Sequence, residues 1–323
     1  MFAYIIRRLV ATIPVMAVVA LFVFSLLYLS PGDPAAIIAG DLATEDDIAR
    51  IREKLGLNQP YFLRFGTWVW AVLHGDLGIS IFTNLPVMQL IGQRVEPTIA
   101  LTLATLFVAV VTAIPMGVVA AWKVGTWVDR LIMAFAVLAF SMPVFVIAYL
   151  LIFTFAIGEF TIFGYTIPLD ILPAQGYSRI SEGFWPWLSH LILPSIALGM
   201  TFTALIARIT RASMLDVLSQ DYVRTAKAKG LAEREVLIGH ALKNAAVPII
   251  TVIGIGIALL IGGVVVTETV FAIPGIGRLV VDAILRRDYP IIQGVILLFS
   301  LVYVVLNLLV DLSYTLFDPR IRY

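Results

Sequence analysis

The stretch 208–248, RITRASMLDVLSQDYVRTAKAKGLAEREVLIGHALKNAAVP, decides how this chain is read. It is the one long polar segment in the second half of a sequence otherwise dominated by apolar runs, and apolar runs flank it on both sides. Arg208, Arg211 and Asp216 carry a preceding apolar helix into water. Ser219-Gln220-Asp221 breaks that helix, and Asp221 suits the N-cap of the next one, because its carboxylate can accept an orphan backbone N–H. Tyr222 to Lys229 then makes a short helix. Spacing of i, i+3, i+4 and i+7 puts Tyr222, Thr225, Ala226 and Lys229 on one face. Gly230 suits the left-handed position that ends a helix, and a further helix runs from Leu231 towards Pro248. A short helix offering a ring, small residues and cations fits a cleft in a soluble protein. A solvated connector, or a basic helix on anionic lipid, would use the same residues.

Working outward, the 323 residues are 61% hydrophobic and 13% charged, with mean hydropathy +1.00. An ordinary soluble domain is about 45–50% apolar and about 25% charged. That much apolar surface needs the bilayer as solvent, so membrane lipid is the first partner. The net charge of +1 gives no sign of nucleic acid, and the absence of cysteine removes disulfides, thiol nucleophiles and Cys-ligated metal. His74, His190 and His240 are too far apart in sequence to suggest a ligand set. No catalytic residue and no metal site is assigned. Gly-x-x-x-x-Gly-Lys-[Ser/Thr] is absent, so the chain lacks the phosphate loop of an ATPase.

A span needs about 20 mostly apolar residues. Six stretches qualify: Leu9–Leu29, Pro97–Trp122, Leu131–Ile157, Trp187–Ala207, Ile249–Phe271 and Ile291–Phe317. Pro14, Pro115, Pro143 and Pro194 fall in or near them and are expected to be tolerated. The first stretch follows Arg7 and Arg8 but exceeds a signal-peptide core and lacks a small-residue cleavage site, so it reads as an uncleaved anchor. Basic residues favour the side holding Arg7, Arg8, Lys123, Arg130 and the 208–248 hairpin, which places both termini in the cytoplasm. The expected architecture is all-α, one transmembrane domain over 1–323, with segment 30–96 outside and 208–248 inside.

Within 30–96, Thr44 and Asp47 form a capping box. Ile48, Ile51 and Leu55 share a face, and Gly56 ends that helix. A second helix starts at Pro60 with Tyr61, Phe65, Trp68 and Val72 on one face. These helices either lie on the membrane, cap the bundle or dock an external partner. Ser30-Pro31-Gly32-Asp33-Pro34 and Gly75-Asp76-Leu77-Gly78 read as turns. Segment 158–186 reads as a loop.

The run Tyr222-Val223-Arg224-Thr225-Ala226-Lys227-Ala228-Lys229-Gly230-Leu231, with His240-Ala241-Leu242-Lys243-Asn244-Ala245 and Pro248, resembles the cytoplasmic loop of binding-protein-dependent ABC importer permeases of the dipeptide, oligopeptide and nickel branch. Pro31-Gly32-Asp33-Pro34, Ser141-Met142-Pro143, Leu193-Pro194, Thr267-Glu268-Thr269-Val270-Phe271 with Pro274-Gly275-Ile276-Gly277, Arg286-Arg287-Asp288-Tyr289-Pro290 and the tail Asp318-Pro319-Arg320-Ile321-Arg322 extend the likeness over the whole chain. Where the wider family carries Glu-Ala-Ala, this chain has Arg224-Thr225-Ala226, so a salt bridge made by that glutamate is not carried over.

The resemblance implies a type I importer permease of six spans in a bacterial or archaeal inner membrane. The implied partners are a second similar permease subunit, two cytoplasmic ATPase subunits that bind ATP and Mg²⁺, and an extracytoplasmic solute-binding protein. It also implies a coupling surface at Asp221, Tyr222, Val223, Arg224, Ala226, Lys227, Gly230 and Leu231. Cargo is expected to be a short peptide, with nickel or another small solute as the alternative. Gly254, Gly256, Gly262 and Gly263 suit close helix packing. Glu268, with Phe271, Pro274 and Gly275 after it, reads either as an outer gate or as a structural partner of backbone or a cation. Arg287 and Asp288 read as surface groups.

Overall fold

In the computed structural model, residues 2–29, 33–40, 43–54, 56–162, 165–168 and 170–317 are described. Ser30, Pro31 and Gly32 of the first expected turn, Leu55 and the tail 318–323 lie outside them. The helices are α1 (Phe2–Leu29), α2 (Pro34–Ala39), α3 (Glu45–Lys54), α4 (Tyr61–Leu73), α5 (Val87–Gly92), α6 (Val95–Trp122), α7 (Trp127–Ser141), α8 (Val144–Phe155), α9 (Phe184–Leu218), α10 (Asp221–Ala228), α11 (Lys243–Val270), α12 (Ile276–Arg286) and α13 (Tyr289–Phe317). Glu235–Leu242, just before α11, is wound as a π-helix. Segment 158–186, expected to be a loop, holds a small antiparallel hairpin of β1 (Glu159–Ile162) and β2 (Tyr165–Pro168), with Ile162 paired to Tyr165. Helices otherwise dominate, as the apolar runs imply.

Five of these helical stretches are long and apolar enough to cross a membrane. The remaining expected span, Leu131–Ile157, is two helices bent by 106°. The cause is Pro143. Proline disfavours helical backbone at the preceding residue, and Met142 is extended, with φ −85° and ψ 129°. Pro14, Pro115, Pro194 and Pro248 stay inside continuous helices.

Packing groups the described residues into two compact units, those within 1–94 with 279–305 and those within 95–278 with 306–317. In the first, Thr44 and Asp47 close the capping box from both sides. The Asp47 N–H donates to Thr44 Oγ1 at 3.3 Å, and the Thr44 N–H donates to Asp47 Oδ2 at 3.2 Å. The Thr44 hydroxyl holds the Asp47 carboxyl below the usual carboxylate range. The expected inner face of α4 meets α1. The Phe24 ring lies 5.3–5.4 Å from those of Tyr61, Phe65 and Trp68. Asp288 is buried, correcting its expected surface position, because it accepts the Ser80 hydroxyl at 2.5 Å and the Ile81 N–H at 3.3 Å. Arg287 is exposed and left-handed, with φ +58°.

In the second unit, α9 is the central post. Its buried face runs from Ser189 to Met214 and packs against α6, α7, α8 and α11. Leu101, Leu191, Leu198, Ile206, Leu260 and Phe271 contribute to its main core. A second fastening is ionic. Arg211 on α9 reaches Asp129 in the first turn of α7 through two N–H donors, at 2.6 and 2.8 Å, and the Gly125 N–H supplies a third contact at 3.0 Å. The Asp129 side chain is only 6% exposed, so losing its cation would strand a desolvated carboxylate.

Arg211→Ala is therefore expected to destabilise the fold by about 3–5 kcal/mol. Asp129→Ala/Arg211→Ala should cost less than the sum of the two single changes. Thermal unfolding of the four proteins in one detergent checks this, and strict additivity would refute the coupling.

Candidate functional site

The candidate residues fall at the two ends of α11. Asn244 and Glu268 are separated along it by 24 residues, about 36 Å at 1.5 Å per residue.

At the N-terminal end sits α10. Gln220, with φ −73° and ψ 149°, occupies the N-cap, so Asp221 is the first helical residue and not the cap as expected. Asp221 still contributes, since an acid in the first turn and Lys227 in the last both complement the helix dipole. The C-terminus follows the expected chemistry. Gly230 has φ +81°, its N–H donates to Lys227 O at 3.0 Å, and the Leu231 N–H donates to Ala226 O at 3.3 Å. These two bonds make a Schellman motif. A left-handed backbone costs an L-residue roughly 1–2 kcal/mol, so glycine suits this position.

Val223 and Ala226 turn inward. They pack with Val236, Leu218 and Leu231, so Ala226 does not share the exposed face with Tyr222, Thr225 and Lys229. The expected face is corrected by one position, because the apolar pair at i and i+3 takes the buried side. Outward lie Asp221, Tyr222, Arg224, Thr225, Lys227 and Lys229. Arg224 and Asp221 form an exposed pair at 3.6 Å, of a kind worth little in water.

Two contacts invisible in the sequence tie this segment to the long helices. The Asn244 side-chain amide donates to Tyr222 Oη at 2.9 Å and to the His240 carbonyl at 2.8 Å. The Trp122 indole N–H, at the end of α6, donates to Glu233 Oε2 at 2.9 Å. A cleft of about 250 Å³ opens beside them, lined by Trp122, Leu215, Lys227, Glu233 and Val236 among others. The Tyr222–Asn244 and Trp122–Glu233 pairs join residues distant in sequence, so no local pattern could announce them. The helix after Gly230 begins at Glu233, later than expected, and passes through the π-helical turns into α11.

At the other end, Glu268 is fully buried. Its Oε1 accepts the Thr98 hydroxyl at 2.6 Å, and its Oε2 accepts the Arg278 N–H at 2.9 Å. Thr98 Oγ1 in turn accepts the Ile276 N–H at 2.8 Å. Thus an acid from α11 and a hydroxyl from α6 cap the first turn of α12, where a negative group is favoured. The chain reverses through Ala272 (φ +53°), and the Ile273 N–H donates to Glu268 O at 2.9 Å. Gly275 leaves room for the carboxylate, since a Cβ there would lie 2.0 Å from Glu268 Oε1. Phe271 is buried in the main core and its carbonyl accepts the Gly176 N–H at 2.8 Å, whereas Pro274 is exposed.

Of the α11 glycines, Gly254 abuts Val310, Gly263 abuts Leu198 and Gly256 lies against Phe202. Nothing lies within 4 Å of a Cβ built at Gly262.

Residues 113–323 match the family described as binding-protein-dependent transport system inner membrane component, and residues 1–102 match the corresponding N-terminal membrane component. The chain is 57% identical to a probable peptide ABC transporter permease protein of Sinorhizobium fredii over 99% of both chains. It is 43% identical to the dipeptide transport system permease protein DppB of Alkalihalophilus pseudofirmus over all of both chains. It is 41% identical to the glutathione transport system permease protein GsiC of Shigella flexneri, again over the full length of both. Among solved structures, a chain of the MetNI methionine ABC transporter in inward-facing conformations aligns with TM-score 0.57 and 18% identity, covering 72% of this chain and 97% of that one. That likeness concerns the fold.

Gly275→Ala is expected to destabilise the chain, because a methyl group would displace the Glu268 carboxylate from the start of α12. In the Gly275→Ala/Glu268→Ala double variant the methyl meets no carboxylate, so the double should be more stable than additivity allows. Melting temperatures of the set decide it; a Gly275→Ala chain as stable as the parent would refute the capping role.

Proposed function

The chain belongs to the family of binding-protein-dependent transport system inner membrane components, and we propose on that premise that it is the membrane permease of an ATP-driven importer of short peptides. The observation that carries the substrate class is its full-length similarity to peptide permeases. The proposed setting is an inner membrane with both termini in the cytoplasm. There this chain pairs with a second permease, rests on two ATPase subunits that supply ATP and Mg²⁺, and receives cargo from an external binding protein. Chemistry resides in the ATPases, and this chain binds, gates and transmits.

In this reading α10 is the coupling helix. Its outward residues Tyr222, Arg224, Thr225, Lys227 and Lys229 enter the ATPase cleft. The Arg224-Thr225-Ala226 sequence makes that contact cationic where relatives of the wider family would present a glutamate. Val223 and Ala226 bind α10 to Val236, and Tyr222 binds it to Asn244, so its displacement is passed into α11. Closure of the ATPase dimer would then bias a two-state packing of the long helices, as interfaces that switch between discrete arrangements do. Glu268 serves this reading as a fastener. It holds α12 to α11 and α6 near the far end of the transmitted motion.

The test uses the complete importer in liposomes, with uptake of a labelled dipeptide. Unlabelled dipeptide should compete and nickel ions should not; the converse would replace the peptide reading with the metal one. Gly230→Pro should insert normally yet lose substrate-stimulated ATP hydrolysis, because proline cannot adopt φ +81° and removes the N–H bound to Lys227 O. Normal stimulation in that variant would end the coupling assignment.

A further inference from the structure

Helix α4 has an apolar side that none of the described residues of its own unit covers. Phe62, Leu63, Trp70 and Leu73 are 82%, 57%, 67% and 75% exposed. The opposite side is the one that packs on Phe24. Along Tyr61–Leu73 the only charged residue is Arg64, and it turns away from the bare side. Its guanidinium stacks over Phe24 and Tyr28 at 5.5 and 5.4 Å and donates to the Tyr28 hydroxyl. Gly66 and Thr67 are the only non-apolar residues on the uncovered side. A helix side this apolar, with its one charge turned away, suits an apolar medium.

Where α4 crosses α1 names that medium. Val10–Leu29 has the length and hydropathy of a span. Phe24, the residue on which α4 packs, is five residues inside the end of that helix, about 7.5 Å at 1.5 Å per residue. Helices in the membrane interface bury their apolar face about 5–10 Å into the headgroup and acyl boundary, so the depth agrees. At 13 residues, α4 would measure about 20 Å, too short for a hydrocarbon core of about 30 Å. Its bare side is continuous in character with exposed Leu21, Phe22 and Leu29 of α1. A soluble partner would be expected to meet a polar rim, and this side offers only Thr67 and, at its end, His74 stacked on Trp70 at 4.3 Å.

We propose that α4 is a membrane-embedded helix that does not span, its Phe62, Leu63, Trp70 and Leu73 side immersed among lipid acyl chains. The segment joining the first two spans then divides in function. Helix α3, with Glu45, Asp46 and Asp47 in its first turn, stays in water, and α4 anchors the segment to the bilayer.

The chain has no cysteine, so single-cysteine variants need no background removal. Leu63→Cys, Trp70→Cys and Leu73→Cys, with Asp46→Cys as the aqueous control, would be spin-labelled in the full-length chain. Each would be assembled with its partner subunits in vesicles of phosphatidylethanolamine and phosphatidylglycerol. Collision with molecular oxygen should exceed collision with a water-soluble nickel chelate several-fold at the three α4 sites, and the ratio should invert at position 46. Chelate access at the α4 sites would overturn the proposal in favour of a solvated cap. Immobilised labels reached by neither reagent would overturn it in favour of a protein partner. Native uptake by each labelled assembly verifies that the variants are folded.

Discussion

Hydrocarbon gives no hydrogen-bond partner to a backbone N–H or C=O, and this deficit governs most of the architecture. It makes the apolar runs helical from end to end. It also makes every interruption a place where freed polar groups need a specific remedy. At Met142-Pro143 the remedy is a new helix, with the chain turning by 106° so that α8 starts its own ladder. At the start of α12 it is a carboxylate and a hydroxyl brought from two other helices. In the exposed hairpin, where water can also serve, the turn after α10 is still closed, by a glycine in the left-handed region and two backbone bonds.

These remedies differ in what they cost to disturb. The Schellman turn at Gly230 is local, built from backbone within one short segment. The Glu268 cap is long-range, and it couples three elements through a fully buried acid. A buried carboxylate is tolerable because its oxygens are met by donors and by the positive end of a helix. The same reasoning applies to Asp129, which meets both Arg211 and the Gly125 N–H. Buried charges here mark the points where one helix is fixed to another.

Much of this is legible in the sequence. The apolar runs marked where the long helices lie, although α1 begins seven residues before the expected Leu9 and α9 runs eleven residues past the expected Ala207. The Thr44 and Asp47 box and the α4 face were readable because they depend on neighbours three or four positions away. Gly230 was readable for the same reason. What escaped the sequence has two physical sources. Pro143 breaks its span while four other prolines do not, because the outcome depends on whether the preceding residue leaves the helical region, and residue type alone does not decide that. Trp122 with Glu233, Tyr222 with Asn244, Ser80 with Asp288 and Arg211 with Asp129 are pairings across the fold. Composition signals the need for a partner to a buried charge, and packing selects which one. Glu268 was visible as costly, and its partners were not. The inward turn of Ala226 followed from Val236, a residue beyond the end of its own helix.

The route from α10 into the long helices is short and mechanically uneven. Val223 and Ala226 press on Val236, which lies in the π-helical turns, whereas Tyr222 bonds to Asn244, one residue past the start of α11. The short helix therefore holds the continuous helix at two points, one in the π-helical segment before α11 and one in the first turn of α11. Stretches of π-helix are rare and concentrate at functional sites. Movement of α10 relative to α11 must break the Tyr222 bond, or change the winding between Val236 and Asn244, or carry both helices together. Only the third leaves every contact intact, and in the proposed coupling it would carry the motion to the end where Glu268 fastens α12. Rigid coupling is thus the default of this geometry, and the π-helical turns are where it would yield first.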